Sequence, residues 1–176
     1  MLNEGAFYGY KKLESVKLPE GLRIIDQQCF SGCESLSEIS LSESLDVVGA
    51  DAFLTCNLQY NVFENGNYLG NKNNKYLVLI STVETDFDVF GIHESIKIIA
   101  ACAFTECREL TSVNVPKSVR FIENYAFLIC PQVTSISYGG TVAEWEAIEK
   151  DDYWYGELTN LTVNCSDGTL EVNQAE

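Results

Sequence analysis

The chain has a single histidine, His93, in 176 residues. A catalytic triad or a zinc site normally wants a histidine with partners, and this lone one reads as structural. Cations are also scarce. Eleven Lys and Arg stand against 26 Asp and Glu, a net charge of −15. That excludes the cation-to-phosphate contacts on which nucleic-acid affinity rests, and electrostatic docking on anionic membranes. No apolar run approaches the ~20 residues of a membrane-spanning helix. The opening MLNEGAFYGY lacks the basic region and apolar stretch of a signal peptide. No D-x-D-x-D-G calcium loop is present. The glycines of Asn65-Gly66-Asn67 and Tyr68-Leu69-Gly70-Asn71 have no following Lys-Ser/Thr and no βαβ context, so they are not a phosphate loop. The acidic cluster Glu144, Glu146, Glu149, Asp151 and Asp152 reads as solubility. From Thr141 onward nine carboxylates meet one lysine, a net −8.

What the chain does have is 46% hydrophobic residues, enough for a packed core, and a strict internal period. Phe7, Phe30 and Phe53 are 23 residues apart, as are Phe104 and Phe127; the step from Phe53 to Phe104 is 51, or 23 plus 28. Three residues after each phenylalanine stand Tyr10, Cys33, Cys56, Cys107 and Cys130. An apolar hexad follows: Leu13, Val16, Leu18; Leu36, Ile39, Leu41; Leu110, Val113, Val115; Val133, Ile136, Tyr138. Then comes a corner, Pro19, Ser42, His93 or Pro116, and a second apolar pair such as Leu22 with Ile25 or Val119 with Ile122. A fixed period in this range predicts a solenoid, in which each repeat buries its apolar face on the next. The hexad alternates as a strand does, so stacked hexads form a parallel sheet. The opposite wall carries ladders of Phe and Cys.

Where the ruler fails, other elements are predicted. The extra 28 residues lie at about 57–84. They read as a β-hairpin or three-stranded flap: Leu58–Phe63, a turn at Asn65-Gly66, Tyr68-Leu69, then Tyr76–Val83, rich in strand formers. After Tyr138 the cap begins, at about 139–165. Thr141 to Glu144 has the form of a capping box, giving a short helix over Thr141–Lys150 in place of the Ala-Phe wall. Leu158, Leu161 and Val163 then supply a sixth and last strand. Residues 166–176 read as a polar tail that frays. The domain is therefore a single one, 1–165.

Four of the seven cysteines fall in one phase of the repeat, which fits small buried thiols in the reduced state better than a disulfide framework. The pairs Cys29/Cys33 and Cys102/Cys107 are not spaced as metal ligands. No basic neighbour is set to activate a thiol.

The unit AFTECRELTSVNVPKSVRFIENYAF, residues 103–127, resembles the BspA-type leucine-rich repeat, A-F-x-x-C-x-x-L-x-x-I-x-I-P-x-x-V-x-x-I in outline, and the likeness runs from about Ala6 to Val163. Ser42 and His93 depart from it at the corner proline. The resemblance implies a leucine-rich-repeat solenoid in a secreted or cell-surface bacterial protein, engaged in adhesion or protein binding, non-catalytic and without a cofactor. Entry into the repeat at Ala6, with no leader, leads us to expect a segment of a longer protein. We expect a monomer whose partner is a protein or glycan, with no nucleic acid and no membrane insertion. Two surfaces are candidates for that partner. One is the outward sheet face: Ser15, Lys17, Glu38, Ser40, Val89, Ser112, Asn114, Ser135, Ser137, Asn160 and Thr162. The other is the aromatic part of the insertion: Tyr60, Phe63, Tyr68 and Tyr76. The face lacks the Trp, Tyr and Arg of protein hot spots. The alternative is a structural spacer with no binding site of its own.

Overall fold

The computed structural model describes residues 1–172; the last four residues of the predicted polar tail lie outside the described residues. The hexads do become strands: β1 Ser15–Lys17, β3 Glu38–Ser40, β8 Val89–Gly91, β10 Ser112–Val115, β12 Ser135–Tyr138 and β14 Leu161–Cys165. The second apolar groups become very short strands: β2 Ile24–Ile25, β4 Val47–Val48, β9 Ile98–Ile99, β11 Phe121–Ile122 and β13 Glu149–Lys150. The insertion supplies β5 Asn61–Phe63, β6 Gly66–Leu69 and β7 Val78–Thr82. Pairing between regular repeats is parallel with partners 23 apart, as in Ser15 with Glu38 and Val113 with Ile136. This is a leucine-rich-repeat type of solenoid with parallel sheets and almost no helix.

The Phe wall turns tightly, and the turn has a backbone signature. The residues two before the phenylalanine (Gly5, Gln28, Asp51, Cys102, Tyr125) and two after it (Gly9, Gly32, Thr55, Glu106, Ile129) all have positive φ. A left-handed residue other than glycine costs about 1–2 kcal/mol. The turn is held by hydrogen bonds from one repeat to the next, such as Phe30 N–H to Ala52 O and Phe104 N–H to Ala126 O, both near 2.9 Å. The rings stack: Phe7 on Phe30 at 5.1 Å, Phe30 on Phe53 at 5.7 Å, Phe104 on Phe127 at 5.0 Å, each pair within 7° of parallel.

The stacking is not continuous. The β1–β3 and β2–β4 sheets stand apart from the sheet β15-β14-β12-β10-β8 and from the sheet β13-β11-β9-β7-β6-β5, where β15 is Gly168–Val172. The core is correspondingly double. One cluster holds the Phe104–Phe127 ladder; the other holds Phe30, Phe53 and Leu45 together with Leu77, Val78, Ile98 and Ala100, with Phe121 packed against it. The first three repeats therefore close their open end on the outer face of β7, β9 and β11. The insertion causes this. Gln59 N–H still reaches Ser37 O, but Asn61–Phe63 then folds back antiparallel on Gly66–Tyr68 instead of continuing the β1–β3 sheet. Strand β7 starts a new stack by pairing in parallel with β9.

Three local features differ from the sequence reading. The hairpin loop is Glu64-Asn65, with Glu64 at φ 48°. Gly66 lies in the strand, where a Cβ would sit 2.5 Å from the Tyr68 ring. The capping box at Thr141 and Glu144 is present, but the helix α1 is only Val142–Glu146. Because Glu149–Lys150 pairs with β11, that helix occupies the corner, and Trp154 takes the wall position, 6.1 Å from Phe127. Finally, Ser166 onward does not fray as expected through the described part: Asp167-Gly168 turns the chain and β15 pairs antiparallel with β14, closing the sheet edge.

Candidate functional site

The sheet of β8, β10, β12 and β14 presents two rows of outward side chains. Val89, Ser112, Ser135 and Thr162 form one; Gly91, Asn114, Ser137 and Asn164 form the other. Asn160, predicted on this face, lies before β14, and Asn164 stands in its place. The hexad match at Leu158 is slipped by two residues, which leaves the face of the strand unchanged. Ser15, Lys17, Glu38 and Ser40 are exposed on the separate β1–β3 sheet. The predicted face is thus split into two surfaces.

The flap stands between them. Its hairpin loop lies at the β8 edge, where a Glu64 carboxylate oxygen is 3.1 Å from the place a Gly91 Cβ would take. Asn65 anchors that loop, donating from Nδ2 to Glu84 O and accepting from Glu84 N–H. Its second turn, Asn71–Asn74, is pinned to the end of β3: Leu41 N–H donates to Gly70 O at 3.0 Å, and Asn71 Nδ2 to Leu41 O at 3.1 Å. Asn71 Oδ1 accepts from the N–H groups of Asn73 and Asn74, both at 2.9 Å, so the turn is self-supporting. Gly70 is required there, because a Cβ would fall 2.1 Å from Asn74 O. Between this turn and the corners of the first two repeats is a cleft of about 450 Å³.

The four flap aromatics do not act together. Tyr68 is fully buried and unable to meet a partner; its hydroxyl accepts from His93 N–H at 3.2 Å, and burial pushes its pKa up to about 12. Phe63 and Tyr76 are half-buried against His93, whose ring stacks on Tyr76 at 4.0 Å. His93 Nδ1 is taken up by Ser95 N–H at 3.1 Å. The lone histidine therefore fastens the flap to the corner of its repeat. Tyr60 lies elsewhere, beside Phe53, Cys56 and Cys102 in a cavity of about 270 Å³ where the Phe ladder stops. What the composition concealed is that the flap's two turns face outward with polar groups, Glu64 and Asn71–Asn73, while its exposed apolar side chains are Val62 and Val83. The Asn-Lys-Asn-Asn run at 71–74 was the available signal.

The cysteines are free, and their thiols have a shared role. Cys33, Cys56 and Cys130 donate to the carbonyls of Phe7, Phe30 and Phe104, at 3.1, 3.1 and 2.8 Å. Cys107 has the insertion where that carbonyl would stand and lies 3.7 Å from Thr82 Oγ1 instead. Burial raises the Cys29 and Cys56 thiols to about 11, far from thiolate reactivity. Among the described residues no cluster of His, Cys, Asp or Glu is arranged to hold a metal ion, and no helix is long and apolar enough to cross a membrane.

Glu123 is the one buried charged side chain among the described residues, 3% exposed. Its Oε1 accepts from Val48 N–H at 3.1 Å, 75 residues away on the free edge of β4. Burial first, then Asp151 beside it, hold its carboxyl up at about 9. It is a protonated link between the two stacks.

A model of the BspA type leucine rich repeat region matches residues 1–76 and 83–167 in 6 copies. The chain belongs to the BspA-type leucine-rich repeat family. Proteins of this family are usually bacterial surface proteins, and the leucine-rich-repeat fold is typically non-catalytic. Solved structures similar to this BspA-type chain include a leucine-rich repeat protein of T. pallidum (28% identical, TM-score 0.42, covering 80% of this chain and 66% of that one). Another is a leucine-rich repeat protein from Bacteroides ovatus (20%, TM-score 0.41, 92% and 46%). A third is a leucine-rich cell surface protein from Faecalibacterium prausnitzii (19%, TM-score 0.35, 85% and 66%). The chain thus spans less than two thirds of the second protein's length and 66% of the other two. No curated protein matches it.

Proposed function

We propose that this chain is a non-catalytic binding or adhesion module of a secreted or cell-surface bacterial protein, and that it meets its partner, a protein or glycan, on the outward faces flanking the flap. The observation that supports this reading is the flap's attachment. One chain segment is pinned at Asn71 to the end of β3 and stands at Glu64 over the edge of β8, so it walls both faces. A spacer needs no such wall. The face of β10, β12 and β14 carries hydroxyls and amides without an aromatic anchor, so single-module affinity is modest and several modules act by avidity.

The test is saturable binding of the soluble chain to an array of host surface proteins and glycans, repeated with Ser112→Arg and Ser135→Arg on the face and with Glu64→Lys on the flap. Binding that is lost in these variants supports the reading. Failure to bind across the array favours the second reading, a spacer whose repeats only stack.

A further inference from the structure

We infer that the cleft between the flap turn and the first two repeats is a saccharide site, taking a short, neutral, polyhydroxylated ligand. This rests on the reading above and names the ligand class for one of its two surfaces. The floor is the outward face and corner of β1 and β3, with Lys17, Ser40 and Ser42; the wall is Asn71, Lys72 and Asn73 from the flap. Its volume of about 450 Å³ is in the range of small-molecule sites and well short of a protein interface.

Charge sets the ligand's character. The lining carries Lys17 and Lys72 against Glu20 and Glu43, so it is neutral in a chain of net −15. An anion meets offset cations and a repulsive surrounding field. A bulky apolar or aromatic ligand finds no aromatic surface among the lining residues. A hydroxyl-rich ligand finds the side chains of Ser40 and Ser44, which both donate and accept, and that of Ser42, which donates.

Ser42 is the specific indication. It is 6% exposed. Its Oγ accepts from Gly21 N–H and Ser44 N–H, both at 3.2 Å, which uses its lone pairs and leaves its O–H to donate. Because Ser42 lines the open cleft, that O–H is a donor for a ligand oxygen in place of water. The wall is pre-built, since the Asn71 turn and the contact of Asn73 Nδ2 with the Glu43 carboxylate hold it in place. Binding therefore orders little that is not already ordered.

The experiment is an amide-shift titration of the full chain with maltotriose, cellotriose and mannotriose, each alone, up to about 10 mM. We expect saturable shifts with at least one, confined to the neighbourhood of Lys17, Ser40–Ser44 and Asn71–Asn73. Ser42→Ala weakens that affinity about tenfold, the loss of one hydrogen bond. Ser44→Trp, at an exposed lining position, blocks the cleft without removing a buried contact and abolishes the shifts. The absence of saturable shifts with all three sugars overturns the inference, as do shifts that persist unchanged in Ser44→Trp. If the array shows protein binding that is lost in Ser112→Arg and no trisaccharide shifts this cleft, the site fails and the binding reading stands.

Discussion

Replacing Glu123 by glutamine should stabilise this protein, and by an amount that depends on pH. The Glu123 carboxyl is 3% exposed and faces Asp151 on the adjoining turn, with Asp26 farther off. Its folded-state pKa of about 9 lies above the ordinary value of 4.5. Between those values the native state holds a proton that the unfolded chain has lost, so stability falls as pH rises through this window. At pH 7 the window has been crossed for about 2.5 pH units, and at 1.36 kcal/mol each the group costs roughly 3 kcal/mol relative to a neutral isostere. Glutamine is that isostere: its carbonyl oxygen accepts from Val48 N–H and its amide donates toward Asp151. Urea unfolding of the two proteins should therefore give nearly equal stabilities at pH 4.5. At pH 7 the variant should be more stable by roughly 3 kcal/mol, and the gap should widen toward pH 8.5. A Glu123→Gln variant no more stable at pH 7, or more stable by the same amount at every pH, would refute the assignment of a buried protonated link.

Phe104→Ala removes a fully buried rung and should cost roughly 3–5 kcal/mol by the same assay; Phe7, the half-buried end rung, should cost clearly less. Thiol titration should find all seven cysteines free after unfolding without reductant. In the native protein the half-buried Cys102 and Cys165 should react first, Cys56 more slowly because burial raises its thiol to about 11, and the four fully covered thiols slowest. Ile129 sits at φ 58°, a conformation hard on a β-branched residue; Ile129→Gly should raise the thermal midpoint, by up to about 1 kcal/mol of stability, whereas Ile129→Ala should not.

The repeat was legible because its residues are used identically each time. A phenylalanine every 23 positions stacks on its own copy, and a cysteine three later caps the previous phenylalanine's carbonyl, so one alignment of the chain with itself yields the walls, the register and most of the core. The same device located the insertion. It did not show that the insertion divides the solenoid, because that depends on what lies outside each repeat. The outward positions of β9 and β11 hold Ile98 and Phe121, but those of β2 and β4 hold Ile24 and Val47, so apolarity there does not mark the second packed surface. The flap's aromatics are hard to place from sequence for a related reason. Composition does not distinguish Tyr68, which is buried in the core, from Tyr76, which is half-buried and stacks on His93, nor does it show that the two turns face outward with asparagines and Glu64. The slip at Asn160 came from matching hexad spacing alone; only strand pairing distinguishes it from Asn164.

The division into two stacks closed over Glu123 places the flap and both candidate surfaces, and the exchange rate of the Val48 amide tests it most directly. Val48 lies on the free edge of a two-stranded sheet, where an amide normally exchanges quickly. The account predicts strong protection in the native protein, kept in Glu123→Gln and lost in Glu123→Ala. Rapid exchange of Val48 in the unaltered chain would mean that the two stacks do not close on one another, and would contradict it.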